Sequence, residues 1–225
     1  MRTNKMLGLA VLAMLSASAL MGSASASAEI VKKTVGCKVN EEPCAAENIY
    51  AKGTKAKGQL TVETEVLLET NIVNVICKKG AAEGESLEEK GSVAPMGGGA
   101  YSVLGTATVA TLSECKTSGG ANCVVTMTNL PWTAALEWTG PNTGIARTKT
   151  PTAGGKVVCG LLINCTFTTE NATETVTGGE NAMKSIEKVK LNRNGGICPA
   201  TALMSGAGEV LEPKAIYISY VEETL

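Results

Sequence analysis

Two glutamates, Glu63 and Glu65, stand two residues apart in a stretch that alternates apolar and polar side chains, Leu60 to Val66. As strand residues they face the same way, and paired carboxylates can carry out retaining glycoside hydrolysis. Such a site needs one carboxyl with a raised pKa in a cleft walled by aromatic rings. Thr and Lys flank this stretch and no Trp is near it, which favours a solvated strand face. Ser113-x-x-Lys116 and Ser185-x-x-Lys188 have the spacing at which a lysine activates a serine nucleophile. Neither has a Lys-Thr-Gly or Ser-x-Asn companion, and the first encloses Cys115. Trp132 and Trp138, six apart, share one face of an extended strand, where indoles contact sugars or partner proteins when exposed and fill the core when not.

Composition removes most other chemistries. The chain has no His, hence no imidazole base or imidazole metal ligand, and all 21 acidic residues are Glu, so Asp-built calcium loops and aspartic dyads are missing. There is no Cys-x-x-Cys, the spacing that zinc ribbons and thioredoxin-like sites use. No metal and no cofactor are expected. A formal net charge of −1, with Arg only at 2, 147 and 193, offers no basic surface for nucleic acid.

Residues 1–28 read as a signal peptide: Arg2 and Lys5 precede a charge-free run, and Ala26-Ser27-Ala28 suits cleavage after Ala28. Thr34-Val35-Gly36-Cys37 is a poor lipobox, and Leu130-Pro131-Trp132-Thr133-Ala134 only superficially resembles a sortase signal. The tail carries Glu222 and Glu223 and is no membrane anchor. Eight cysteines follow the leader, at Cys37, Cys44, Cys77, Cys115, Cys123, Cys159, Cys165 and Cys198. An even count in an exported chain reads as four disulfides, with about a hundred possible pairings. Turn residues between close neighbours suggest Cys37–Cys44, Cys115–Cys123 and Cys159–Cys165, which leaves Cys77–Cys198 to close the longest loop.

The elements that hold these residues are strands. Apolar residues recur with period two at Leu60–Val66, Val125–Met127 and Ile216–Val221, Thr is abundant, and Gly doublets recur at short spacing. Residues 29–225 predict a single all-β domain, a disulfide-stapled β-sandwich of about ten to twelve short strands. Ala81 to Lys90 is the one stretch that could form a helix, and its Glu83, Glu85, Glu88 and Glu89 could equally be a solvated strand edge. With seven aromatic residues, the core must be built from Val, Ile, Leu, Ala and Met.

Cys123-Val124-Val125-Thr126 running to Asn129-Leu130-Pro131-Trp132, together with Gly195-Gly196-Ile197-Cys198-Pro199, resembles a group of uncharacterised exported, cysteine-rich bacterial proteins. The resemblance covers most of residues 37 to 220 and implies export and an all-β fold, with no activity attached. The expected protein is secreted or envelope-associated and non-catalytic, binding an envelope glycan or a protein, with no nucleic acid and no membrane anchor. Two alternatives are a small β-sandwich hydrolase acting on polysaccharide and an enzyme inhibitor using the Cys37 to Cys44 loop.

Overall fold

A computed structural model describes residues 28–225 apart from 62–63, 162, 170 and 194–197, with backbone alone at 187 and 188. The expected leader up to residue 27, and Glu63, lie outside the described residues. Fifteen strands follow one another: β1 (Ile30–Cys37), β2 (Lys55–Leu60), β3 (Val66–Glu69), β4 (Val75–Ser86), β5 (Val103–Thr117), β6 (Asn122–Thr128), β7 (Trp132–Gly140), β8 (Thr143–Thr148), β9 (Ala153–Cys159), β10 (Ile163–Thr169), β11 (Thr173–Thr177), β12 (Gly179–Glu180), β13 (Met183–Arg193), β14 (Thr201–Glu212) and β15 (Ala215–Thr224). The fold is all-β, as the alternation predicts. The stretch that could have been helical instead runs in β4 to Ser86, because its Ala and Gly residues pair with β2 and β5 on either side.

Four strands are not short. β4, β5, β13 and β14 span 12, 15, 11 and 12 residues, and each changes partner midway. β4 pairs with β3 near Cys77 and with β2 from Ala81 onward. β5 pairs with β7 at Val103–Ala107 and with β6 beyond Leu112. β14 pairs with β3 at Leu203–Ser205 and with β2 beyond Gly208; β13 divides likewise between β11 and β10. Register shifts at Glu83/Gly84, Leu112/Cys115 and Ile186/Val189 bend the strands near these changes.

Followed from partner to partner, the pairings close twice. One ring is β3-β4-β5-β6-β9-β10-β13-β14 and the other β2-β4-β5-β7-β8-β11-β13-β14. The sandwich is therefore two small closed barrels joined end to end through shared strands, and closure removes the free edges that open sheets expose. The first barrel is solid: Val66, Leu68, Val75, Val157, Phe167 and Leu191 fill it. A separate ribbon, β1-β15-β12, lies across the far end of the second barrel. It is tied there by reciprocal bonds of Tyr101 N to Lys32 O and Thr34 N to Tyr101 O, both 2.8 Å.

Only one expected disulfide forms as expected, Cys37–Cys44. The others are Cys77–Cys115, Cys123–Cys159 and Cys165–Cys198, in place of Cys115–Cys123, Cys159–Cys165 and Cys77–Cys198. The reason lies in the register. Cys77, Cys115, Cys123 and Cys159 form one row across β4, β5, β6 and β9, each directly opposite the next. Cys115 and Cys123 do face each other, but each bonds its other neighbour. Elimination fails once those two choices change, and Cys165 and Cys198 are left together. All three bridges belong to the first barrel.

The bridges close loops of 38, 36 and 33 residues, each stabilising by about 4 kcal/mol in the chain-entropy model. Peptide mapping of the unreduced protein should yield these cross-links and no Cys77–Cys198 species. Replacing Cys123 and Cys159 together by Ala should lower urea stability by roughly 2 to 5 kcal/mol.

Candidate functional site

The two tryptophans lie on one face of β7, as their spacing predicts, with Ala134 and Leu136 between them. Neither indole N–H is free. Trp132 Nε1 donates to Thr128 O at 2.9 Å, and Trp138 Nε1 donates to Glu42 Oε1 at 2.9 Å. The Trp138 ring meets Tyr220 at a 4.7 Å centroid distance, and Lys32 Nζ lies 4.7 Å from the first ring and 4.1 Å from the second. Glu42 Oε1 also accepts Asn142 N at 3.0 Å. Trp138 thus fastens β7 to the ribbon and to the loop after Cys37.

The other candidates stay apart. Glu65 is exposed and its expected partner Glu63 is outside the described residues. Ser113 and Lys116 are exposed on either side of the bonded Cys115, and the Lys188 side chain is outside the described residues. Cys37, Glu41 and Cys44 bring three potential metal-ligating atoms within 4.8 Å, but the sulfurs are bonded to each other. Glu41 Oε1 accepts Asn48 Nδ2 and Ala45 N, both at 2.8 Å, and these bonds hold its carboxyl below the usual range. That geometry makes a stapled turn.

What sequence did not reveal is a cavity at the ribbon end of the second barrel, about 290 Å³ in volume. Ala56, Gly84, Gly105, Ala107, Ala134 and Ala146 line it. They meet because of pairing: Ala56 sits opposite Gly84, Gly84 opposite Ala107, and Gly105 opposite Ala134. An eight-stranded barrel has an interior that side chains can just fill or that can hold one small ligand. Here the side chains are too small to fill it. Gly36 of β1, Tyr50 and Ile216 of β15 close the top, and Glu85, Glu88 and Glu89 stand at the mouth. Tyr50 Oη donates to Ala215 O at 2.6 Å, and burial pushes its phenol up. A roomier depression of about 440 Å³ lies beside Cys44, among Glu89, Lys90, Glu222 and Glu223. Lys90 and Glu223 in its wall are already paired with each other, so it offers a ligand less.

Two charged groups on the second barrel also escaped sequence reasoning. Glu137, 3% exposed, lies under the loop before β5. Its Oε2 accepts Met96 N at 2.7 Å and Gly97 N at 3.1 Å, and its Oε1 accepts Gly99 N at 3.1 Å. The signal was Gly97-Gly98-Gly99: Gly98 has φ of 85°, and a Cβ on Gly99 would stand 2.9 Å from Glu137 Oε1. Lys184 Nζ pairs with Glu174 Oε2 at 2.5 Å. Surrounding protein pushes its amine down to about 8, yet half the side chain reaches water, so at neutral pH it remains an ammonium and the pair holds.

Glu137→Gln turns an amide N–H₂ toward backbone donors and should cost about 1–3 kcal/mol; Gly99→Ala should also lower Tm. On the ribbon, Lys33 at 2.6 Å, and Lys90, hold the Glu223 carboxyl below its ordinary value. A depressed carboxylate stabilises above its unfolded pKa and loses that contribution as pH falls through the folded value. Tm should therefore drop on acidification below about pH 4, and less steeply in Glu223→Gln. The chain matches no protein-family model, no curated protein and no solved structure.

Proposed function

We propose that this chain is an exported, non-catalytic binding protein whose ligand site is the hollow of the second barrel. One observation carries the reading. Five strands of the second ring, β2, β4, β5, β7 and β8, together with Gly36 and Ile216 of the ribbon, line an open and mostly apolar pocket of about 290 Å³ that its own side chains leave unfilled. Small-molecule sites are concave and mostly apolar, with a few polar groups that fix orientation. Four disulfides suit an extracytoplasmic compartment, and no helix among the described residues is long and apolar enough to cross a membrane.

Hydrolysis draws less support, because Glu41, Glu42, Glu137 and Glu223 hold turns, loops or strands together, and of the glutamates beside the pocket Glu85 pairs with Lys55, Glu88 accepts the Ser92 hydroxyl and Glu89 is exposed. A glycan surface at Trp132 and Trp138 is also less favoured, since both indoles donate within the protein.

N-phenyl-1-naphthylamine, a neutral dye that brightens in apolar surroundings, should bind the oxidised protein saturably. Ala134→Leu and Ala107→Leu, each adding apolar bulk to the wall, should weaken it about tenfold or more while leaving Tm unchanged or raised. No saturable signal, or binding indifferent to both fillings, would overturn the reading.

A further inference from the structure

We infer that the end of the first barrel away from the ribbon docks on an anionic phospholipid bilayer, with Ile72 and Leu161 entering its surface and a collar of cations meeting the headgroups. This surface is separate from the cavity and does not depend on it.

Four connections meet at that end, because β4, β6, β10 and β14 start there and β3, β5, β9 and β13 finish there. Their described residues, 70–74, 118–121, 160–161 and 198–200, include no Lys, Arg or Glu. The connections at the ribbon end, 38–54 and 87–102, are rich in both Glu and Lys. Two aliphatic side chains stand out from the uncharged end. Leu161 is fully exposed in the β9–β10 turn, and Ile72 is 70% exposed in the β3–β4 turn. Val124 and Leu203, each two residues inside its strand, continue the apolar surface along the outer wall.

The ring order sets these two turns on opposite sides of the barrel end, with β5 and β6 between them one way and β13 and β14 the other. Prongs so divided do not make the continuous apolar patch that a protein partner buries. A bilayer surface accepts each side chain singly. Charge points to the same partner. Lys78, Lys116, Lys156, Lys190 and Arg193 are all exposed within three residues of the strand ends, which is about 10 Å along a strand. In that span they outnumber the two carboxylates, Glu69 and Glu114, although the whole chain has a net charge of −1. The four lysines make no ion pair among the described residues. Anionic headgroups attract such cations within a Debye length and bring the apolar tips to the interface. Cys77–Cys115, Cys123–Cys159 and Cys165–Cys198 staple the strands within two residues of this end, so the tips are presented on a rigid frame.

The test is sedimentation of the oxidised protein with sucrose-loaded vesicles of phosphatidylcholine, alone or equimolar with phosphatidylglycerol, at low salt. The protein should pellet with the anionic vesicles and bind neutral ones at least about tenfold more weakly. Ile72→Ser with Leu161→Ser should weaken anionic-vesicle binding by about tenfold or more, and because both side chains are exposed Tm should not change. Lys78→Gln and Lys116→Gln should each weaken it about fivefold. Val109→Ser with Met183→Ser, which removes exposed apolar side chains from the second barrel, should leave it unchanged. Equal pelleting with both vesicle types, binding that survives loss of Ile72 and Leu161, or equal weakening by the Val109 and Met183 pair would each overturn the inference. Failure to pellet with either would overturn it too, and would leave a protein as the partner of this end.

Discussion

Everything else in this molecule is positioned by four long strands that each serve two barrels. β4 pairs with β5 and β13 with β14 along nearly their full lengths, which makes two broad ribbons. Each ribbon is wide enough that shorter strands attach to different halves of its margins. β3 and β2 bridge the ribbons on one side; on the other, β6-β9-β10 closes the first barrel and β7-β8-β11 the second. Neither ring closes without the other's strands. The bulges make this possible, because a strand that turned from one barrel axis to the next without a register shift would carry its apolar face out of one of the two interiors.

The barrels differ in how they are filled. The first contains a close-packed apolar core and three disulfides. In the second, Ala56, Gly84, Gly105, Ala107, Ala134 and Ala146 leave part of the space beside Val103 and Leu136 open, and no disulfide joins two of its strands outside the part shared with the first. A sealed void of its size would cost on the order of 7 kcal/mol by the relation found for core truncations, comparable to the stability of a whole domain. The second barrel avoids much of that cost by staying open at its mouth. It keeps its shape because its strands continue into a neighbour that cannot easily deform.

The strands were legible in the sequence and the cavity was not. The alternation in Ile216–Val221 and Val125–Met127 reports one strand's own faces, and both stretches are strands. Cys37 and Cys44 were legible because the turn that joins them is local. The row Cys77, Cys115, Cys123 and Cys159 was not, since its members are neighbours only through the register of four strands. The same limit hid the site. Gly84, Gly105, Ala107 and Ala134 look like turn makers or neutral strand residues one at a time, and become an empty wall only when set opposite one another. Glu137 was hidden for a related reason: Gly97-Gly98-Gly99 reads as a hairpin turn, whereas its amides surround a carboxylate some 40 residues away in the chain.

The ribbon over the cavity explains why the hollow does not collapse. An apolar lid would slide inward to fill the space, since nothing but contact area would set its height. This ribbon is held by directional contacts at several points: Trp138 N to Thr34 Oγ1 at 2.8 Å, Ile218 N to Asn142 Oδ1 at 3.1 Å, Tyr50 Oη to Ala215 O, and Glu223 to both Lys33 and Lys90. Cys37–Cys44 stiffens one margin, and Leu225 N bonds Glu29 O at 2.9 Å, so both ends of the described chain are drawn into the same cap. Hydrogen bonds lose strength steeply with distance and angle, so the two that reach β7 and the turn before β8, Trp138 N to Thr34 Oγ1 and Ile218 N to Asn142 Oδ1, fix the ribbon's height above the barrel. A pocket held open in this way needs little reorganisation to admit a guest.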